Sequence, residues 1–465
     1  MDLKKKYIGD RAFYRMLFSL VLPLIIQQGI TNFVSLLDNL MVGGLGTLSM
    51  SAVSIVNQLI FVFNLTIFGG LSGMSIFSTQ FCGLEDWKGM RDTFRLKMLF
   101  SVAAGMIAVA VFLIWGDSLT MLFLQGESNS AEDIALTLKA ARSYMSVAVL
   151  GLIPFAVVQV YAGTMREMGK TVIPMSAGII AIFVNLVFNY LLIYGKFGFP
   201  RLGVTGAAAA TVLSRFVEMS YVVIICHRKH GVFRFIEGVY RSLRIPAGLV
   251  KKIAVTGAPL LANEILWSLG MTFINRNYSL RGITVIAASN ISATVWNLFC
   301  VIMFAMGSAV AILVGQKLGA GDREGALDTD NKLLFFTLVS HILIGLLLIA
   351  AAPFIPLLYK VEPEVRVLAT RFLTIAGAAL PIHAFIHVVY FTIRSGGKTF
   401  ITFIFDSVYL WTFPALISFV LCRFTDLDIV WIYFCVQFID TVKIAVGVPM
   451  LRSGFWANNL VNDIK

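Results

Sequence analysis

Residues 16–40 read MLFSLVLPLIIQQGITNFVSLLDNL, a run in which Asp38 is the only ionisable side chain. A helix of about 20 apolar residues is long enough to cross the hydrocarbon core of a bilayer. Further stretches of similar length and composition follow along the chain. Because these runs are long and evenly apolar, without the alternation of barrel strands, they predict membrane-spanning α-helices. The predicted spans are 16–40, 52–79, 95–115, 142–163, 172–195, 204–225, 254–278, 287–315, 333–358, 369–392, 400–421 and 429–450.

The composition also indicates a chain that folds within a membrane. Of the 465 residues, 58% are hydrophobic and 13% are charged, whereas soluble domains carry about 25% charged residues. So few charges cannot cover the surface of a soluble fold, which excludes most soluble enzymes. We attribute the formal net charge of +12 to basic loops that hold the helices in a cytoplasmic membrane, and we expect no nucleic-acid partner.

The distribution of basic residues predicts the orientation in the membrane. If the N-terminus is cytoplasmic, the tails and loops on the cytoplasmic side hold most of the 37 Lys and Arg. By the positive-inside rule, both termini are therefore expected in the cytoplasm. The most basic loop, residues 226–252, joins the sixth and seventh spans. We interpret it as a linker between an N-terminal lobe, residues 1–225, and a C-terminal lobe, residues 253–465.

The two halves of the sequence resemble each other. A shift of the sequence that places Pro23 on Pro259 aligns the start of each half without a gap, and a second shift aligns Arg166 with Arg394. Because each half has six spans, both halves enter the membrane in the same direction. The expected fold is an all-α polytopic membrane protein with twelve transmembrane helices in two six-helix bundles, related by a parallel internal repeat. Further matched pairs are Gln80 and Gln316, Gly83 and Gly319, Asp86 and Asp322, Gly169 and Gly397, Lys170 and Lys398, and Arg215 and Lys443.

Several of these segments resemble the multidrug and toxic compound extrusion (MATE) family. They are the first helix with its proline, acidic residue and Gly-rich end, the paired Gln-x-x-Gly motifs, the turns MREMGKT and IRSGGKT, and LGVTGAAAATVLS at residues 202–214. The resemblance covers nearly the whole chain. It implies a secondary antiporter with alternating access, in which organic and often cationic compounds leave the cell as H⁺ or Na⁺ enters.

Three polar residues are candidates for a coupling or substrate site in the N-terminal lobe. A carboxylate within a span, such as Asp38, is a functional candidate because its burial is costly. It could load a proton or bind a hard cation such as Na⁺. Asn185 and Asn189 are four residues apart on the fifth helix, so they share a face and could complete the site. The resemblance often implies a carboxylate at position 189, and the asparagine departs from that pattern.

Glu264 and two histidines are the candidates in the C-terminal lobe. Glu264 lies near the middle of the seventh span, and the resemblance implies a cation or proton site there, with a structural ion pair as the alternative. The aspartate that the resemblance implies on helix 10 is missing, and His383 and His387 lie in its region. These histidines are four residues apart and could serve a proton path, or they could be core residues. The pairs Arg215 with Glu218 and Asp440 with Lys443 are interpreted as structural.

No nucleotide-binding, serine-hydrolase or zinc-protease motif is found, so we expect neither an enzyme nor a cofactor beyond the coupling ion. A lipid-linked oligosaccharide flippase of the wider superfamily and a membrane enzyme acting on lipids stay as alternatives. The expected partners are a small organic substrate and membrane lipids, and the expected state is a monomer. The sequence leaves two alternatives for the coupling ion, which are H⁺ and Na⁺ bound at Glu264 or Asp38.

Overall fold

The computed structural model describes residues 6–124, 131–359 and 361–462. Within these ranges, 12 helices are long and apolar enough to cross a membrane. This confirms the predicted all-helical fold. In chain order the helices are α1 Arg11–Gly43, α2 Thr47–Gly83, α3 Trp87–Leu124, α4 Ala131–Glu167, α5 Val172–Tyr194, α6 Val204–Arg228, α7 Ala247–Ser279, α8 Ile283–Phe299 continued by Val301–Gly319, α9 Arg323–Ala351, α10 Pro363–Ser395, α11 Thr399–Phe424, and α12 Ile429–Phe438 continued by Thr441–Arg452.

Most helices are longer than the spans predicted from hydropathy. Helix α3 has 38 residues, which at 1.5 Å per residue gives about 57 Å, against about 30 Å for the hydrocarbon core. It begins at Trp87, ahead of the apolar run that starts near residue 95. An α-helix satisfies its own backbone hydrogen bonds in lipid and in water alike, so the helix continues where the apolar run ends.

The chain folds into two compact units that interleave along the sequence. The C-terminal unit consists of the chain up to Ile25, the segment Thr79–Asp86 and the chain from Lys251 onward. The N-terminal unit consists of Ile26–Ser78 and Trp87–Val250. Division into lobes at residues 226–252, as the repeat suggests, stays a prediction.

The first half of α1 is part of the core of the C-terminal unit. Leu17 and Leu20 are buried there in one hydrophobic cluster with residues of α8, α9 and α10. Pro23 lies inside α1, two residues before the boundary of the unit at Ile25. Proline lacks the N–H that would continue the helical ladder, so α1 has a weakened point close to the residue where it passes from one unit to the other.

Helix α10 is the centre of the C-terminal unit and packs against α8, α9, α11 and α12. Two glycines allow it to approach α9 closely. A Cβ atom added to Gly345 would lie 2.4 Å from the carbonyl oxygen of Gly377. Small residues allow membrane helices to approach this closely, because lipid gives little hydrophobic drive and close packing must supply the attraction.

The repeated Gln-x-x-Gly motifs pack against each other within the C-terminal unit. A Cβ atom on Gly83 would lie 1.9 Å from the carbonyl oxygen of Gln316, and a Cβ atom on Gly319 would lie 1.9 Å from the carbonyl oxygen of Gln80. The two contacts are reciprocal, as a two-fold repeat requires. Any side chain at either glycine would force the backbones apart, which explains the glycine in each motif.

The end of the chain binds the same motif. The side chain of Gln80 accepts a hydrogen bond from the backbone N–H of Leu460 at 2.7 Å and donates to the carbonyl oxygens of Ser395 and Asn458 at 3.0 and 3.2 Å. Gln80 itself is fully buried. One side chain therefore joins the end of α2, the end of α10 and the segment that follows α12.

Helices α11 and α12 are irregular near their middles. Residues Ile404–Val408 of α11 form a π-helical turn, and a second such turn, Trp411–Ala415, contains Pro414. Helix α12 is interrupted between Phe438 and Thr441. Such irregular turns re-aim side chains and are common at functional sites.

Trp456 tests how strongly the final segment stabilises the C-terminal unit. It is fully buried, and its indole N–H donates to the carbonyl oxygen of Leu451 at 3.2 Å. Removing a buried tryptophan costs about 3–5 kcal/mol, so Trp456→Ala should lower the midpoint of thermal unfolding of the purified protein.

The control is Trp431→Ala, because 59% of Trp431 is exposed in the same unit. We expect this variant to unfold close to the wild-type temperature. Equal midpoints for the two variants would contradict a stabilising role for the final segment.

Candidate functional site

Asp38 of α1 faces α5 within the N-terminal unit. Asn189 donates from Nδ2 to Oδ1 of Asp38 at 2.7 Å. The Asn185 amide makes the most hydrogen bonds when its nitrogen also faces Asp38, at 3.0 and 3.1 Å from the two carboxylate oxygens. In this orientation its oxygen accepts a hydrogen bond from the hydroxyl of Thr211 at 3.2 Å. The structure thus brings together the three polar residues that the sequence selected in this lobe.

The surroundings of Asp38 are polar but contain little fixed positive charge. Asn185 and Asn189 are buried, and Oδ1 of Asn189 has no hydrogen-bond partner among the described residues. Arg215 of α6 acts on Asp38 electrostatically, but its guanidinium is paired with Glu218 at 2.9 Å. Neutral amides therefore make the close contacts of this carboxylate. An additional proton or a hard cation would complete its charge balance.

Tyr144 adds a hydroxyl that interacts electrostatically with the same carboxylate. It lies on α4, and its hydroxyl donates to Oδ1 of Asn57 at 3.2 Å. The sequence analysis did not select Tyr144 or Thr211, because nothing in the local pattern of a helix distinguishes a hydroxyl that faces a polar site from one that faces another helix.

A second buried polar cluster in the N-terminal unit was also missed. Lys97 of α3 is 1% exposed, and its Nζ lies 2.7 and 2.6 Å from the two carboxylate oxygens of Glu167 at the end of α4. Ser78 accepts a hydrogen bond from Lys97 at 3.0 Å and donates to Glu167. Because both charges have close partners, this cluster is suited to hold α3 against α4.

Asp406 of α11 is the centre of a polar cluster in the C-terminal unit. Asn263 of α7 donates from Nδ2 to Oδ2 of Asp406 at 3.0 Å. Ser407 in turn donates to Oδ1 of Asn263 at 2.7 Å. The hydrogen bond from α7 to Asp406 therefore comes from Asn263 and not from the adjacent Glu264.

Lys443 of α12 lies beside Asp406. Its Nζ is 3.7 Å from Oδ1 of Asp406 and 4.0 Å from Oδ1 of Asp440. The pairing of Lys443 with Asp440 was anticipated from their spacing, and Asp406 is an additional partner. The ammonium also lies over the ring of Tyr409, 4.7 Å from its centroid.

The two histidines of α10 have different surroundings. The Nε2 atom of His383 lies 2.9 Å from Oε1 of Gln437, and its Nδ1 atom lies 3.5 Å from Oδ2 of Asp440. His387 is packed between the rings of Phe304 and Phe391, and its Nε2 has no hydrogen-bond partner among the described residues. Only His383 therefore joins the polar cluster of α11 and α12.

Glu264 of α7 lies in the C-terminal unit and is half-buried. Within the described parts of the chain, no ion pair or hydrogen bond of its carboxylate is found at bonding distance. Arg394 of α10 and Asp406 act on it electrostatically. The guanidinium of Arg394 is buried, and its NH1 nitrogen also has no hydrogen-bond partner in the described ranges. Glu264 is thus a carboxylate whose charge no close contact compensates.

We find no metal site built from three or more His, Cys, Asp or Glu side chains within residues 6–124, 131–359 and 361–462. A monovalent cation at Asp38 would rely on amide and hydroxyl oxygens for its remaining ligands. Asn185 and Asn189 turn their amide nitrogens toward Asp38, so both amides would have to rotate before their oxygens, the donors that hard cations prefer, could serve as ligands.

The MatE family model matches residues 23–191 and 259–420, more than half of the chain and one segment in each half. This chain belongs to the MatE family. The MATE resemblance inferred from the Gln-x-x-Gly motifs and the Arg-Gly turns is thereby confirmed, and the family is one of transporters rather than enzymes.

Two relatives match along almost their whole length. The probable multidrug resistance protein NorM of Thermotoga maritima is 24% identical over 453 residues, which cover 96% of this chain and 93% of that protein. The probable multidrug resistance protein YoeA of Bacillus subtilis is 24% identical over 446 residues, which cover 94% of this chain and 93% of that protein. With the family match, they confirm the prediction of a MATE efflux antiporter.

Solved structures share the MATE fold. A transporter of the MOP superfamily from Pyrococcus furiosus, described as having a binding pocket of reversed polarity, superimposes with a TM-score of 0.84 at 19% identity, over 97% of both chains. A crystal structure of MATE in complex with MaL6 gives a TM-score of 0.82 at 19% identity, also over 97% of both chains. The chain is a multi-pass membrane protein of this fold.

Proposed function

We propose that the protein exports small organic compounds, organic cations among them, in exchange for H⁺ or Na⁺ by alternating access. The observation that carries this proposal is the Asp38 carboxylate, held inside an apolar helix by two buried asparagine amides. Uncompensated carboxylates in membrane helices mark ion and proton pathways. The names of NorM and YoeA, two probable multidrug resistance proteins, support drugs as cargo.

Asp38 acts in this proposal as the exchangeable group of the N-terminal unit. Its close partners are neutral amides, so its charge is free to be cancelled by a proton or by Na⁺ and then restored. Loss of the ion returns a full negative charge to a site with few compensating contacts. Such a change in charge is large enough to favour one conformation of a transporter over another.

Glu264 is proposed as the matching group of the C-terminal unit. Arg394 and Asp406 act on it electrostatically, and it has no direct ion pair with any described residue, so it is available either to a proton or to a cationic cargo. His383 is proposed as a second titratable group of the unit, because both of its ring nitrogens face polar groups of α12. His387 has no such polar contacts, and a role for it in transport stays a prediction.

The orientation is part of the same proposal. We infer that both termini lie in the cytoplasm and that the protein resides as a monomer in the cytoplasmic membrane, since its basic residues concentrate in alternate loops. The basic loop between α6 and α7 then faces the cytoplasm, and the start of α4 faces the outside.

Labelling of single cysteines tests the orientation. In a variant without native cysteines, His230→Cys lies in the basic loop and Glu132→Cys at the start of α4, and both positions are exposed. A membrane-impermeant maleimide added to intact cells should label position 132 and not position 230, and lysis should expose both. The reverse pattern in intact cells would contradict the proposed orientation.

Asp38→Asn tests the coupling role of the N-terminal unit. The substitution keeps the size of the side chain but removes its ability to bind and release an ion. Export of an organic cation by inverted vesicles, with the proton and sodium gradients imposed separately, should fall to the level of vesicles that lack the protein.

The matched control for this variant is Asp117→Asn in α3, because Asp117 is partly exposed and pairs with the exposed Arg142. It should keep wild-type export. Wild-type export by a normally abundant Asp38→Asn protein would leave Asp38 with a structural role only.

Glu264→Gln distinguishes two roles for the C-terminal unit. Gln resembles a protonated carboxyl group, so a proton carrier so changed should lose coupled export and keep cargo binding. A cargo anchor should instead lose affinity for cations and keep affinity for neutral compounds. Binding and gradient-driven export are measured on the same purified variant, and wild-type values for both would show that Glu264 is structural.

A further inference from the structure

Lys443 has the surroundings of a bound cation. Its Nζ lies 3.7 and 4.0 Å from two carboxylate oxygens, and the faces of Tyr409 and Phe405 lie 4.7 and 5.6 Å away, measured to the ring centroids. The side chain is 6% exposed. Carboxylates and aromatic faces each attract a cation, and a desolvated site strengthens both attractions.

The two carboxylates are oriented so that one oxygen of each faces Lys443. Oδ2 of Asp406 accepts from Asn263 at 3.0 Å, and Oδ2 of Asp440 faces His383 at 3.5 Å. Oδ1 of each carboxylate points to the ammonium. Oδ1 of Asp440 is buried and has no hydrogen-bond partner among the described residues. The ammonium of Lys443, 4.0 Å away, is the positive charge that this oxygen faces.

The backbone is irregular at both carboxylates. Asp406 lies in the π-helical turn Ile404–Val408, and Asp440 lies where α12 is interrupted. The hydroxyl of Tyr409 donates to the carbonyl oxygen of Ile439 at 2.7 Å, which joins the two irregular points. Both carboxylates are therefore held by irregular backbone, which is frequent at functional sites.

We propose that Lys443 takes the place of a metal coupling ion in the C-terminal unit, excludes Na⁺ from the Asp406–Asp440 cluster and so sets the ion selectivity of this unit. This inference rests on the proposed ion-coupled export. The ammonium supplies the single positive charge that a bound Na⁺ would supply. A second cation within about 4 Å of it would meet like-charge repulsion in a poorly solvated site.

The position that matches Lys443 in the repeat shows that this arrangement is specific to the C-terminal unit. Arg215 of α6 pairs with Glu218 through one contact at 2.9 Å, and 37% of its side chain is exposed. Lys443 instead faces two carboxylates and is almost fully buried. Removal of Lys443 would leave two buried carboxylates with one positive charge fewer, which is a strong demand for a cation.

The test measures Na⁺ binding by the purified full-length protein, with radioactive Na⁺ as the probe and potassium chloride holding the ionic strength. Lys443→Ala should bind a further Na⁺ per molecule compared with wild type, and its thermal unfolding midpoint should rise in NaCl relative to KCl. Lys443→Arg keeps the charge and should bind as wild type does. The added binding should be lost in Lys443→Ala combined with Asp406→Asn.

Two results would overturn the proposal. One is a folded Lys443→Ala protein, monodisperse on size exclusion, that binds no more Na⁺ than wild type. The other is a fall in Na⁺ binding when Asp406→Asn is added to a Glu264→Gln protein that keeps Lys443. Glu264→Gln removes the neighbouring carboxylate on which Asp406 acts, and this second measurement does not depend on the folding of Lys443→Ala. Equal Na⁺ binding by Glu264→Gln with and without Asp406→Asn supports the proposal. Because binding is measured without cargo or gradient, its failure is separate from a failure of export.

Discussion

A charge inside an apolar helix must be compensated by the protein itself, because lipid offers neither water nor counter-ions. Much of the polar interior of this transporter follows from that constraint. Lys97 is neutralised by Glu167, and Lys443 by Asp406 and Asp440. Asp38 receives neutral amides in close contact among the described residues. The degree of compensation therefore separates charges that hold helices together from charges that are available for exchange.

The same constraint fixes which helices are neighbours. The partners of a buried charge come from different helices, so each pair specifies a helix contact: α1 with α5, α3 with α4, and α11 with α12 in the three clusters. Between apolar surfaces in lipid, close packing of small residues and polar contacts supply the specificity that the hydrophobic effect supplies in water. Gly345 against Gly377, and the reciprocal Gln-x-x-Gly motifs, provide the close packing here.

The sequence predicts those features that depend on local pattern. Hydropathy locates the spans, because each helix satisfies its backbone alone and its apolar run is continuous. Its ends are located less well, since helices such as α3 continue past the apolar run. Helical spacing places Asn185 and Asn189 on one face, and the family resemblance joins them to Asp38. The first inference needs only the spacing within one helix, and the second needs only sequence motifs of a known family.

Contacts between helices are not in the local pattern, and they account for what the sequence analysis missed. Lys97 and Glu167 are ordinary charges near helix ends until α3 and α4 are packed together. The spacing of His383 and His387 suggests one environment, yet His383 finds polar groups on α12 while His387 lies between phenylalanine rings. Four residues advance a helix by more than a full turn, about 40° of rotation, which is enough to separate a polar neighbour from an apolar one.

The two units balance their carboxylates by different means. In the N-terminal unit, neutral donors surround Asp38, so a full negative charge remains for a mobile ion. In the C-terminal unit, a tethered ammonium already serves Asp406 and Asp440, whereas Glu264 has no close partner among the described residues. A tethered cation cannot leave the protein and therefore cannot carry charge across the membrane. In the export that we propose, the exchange of ions then belongs to Asp38 and Glu264, and the Lys443 cluster would provide a fixed charge against which Glu264 is loaded and released.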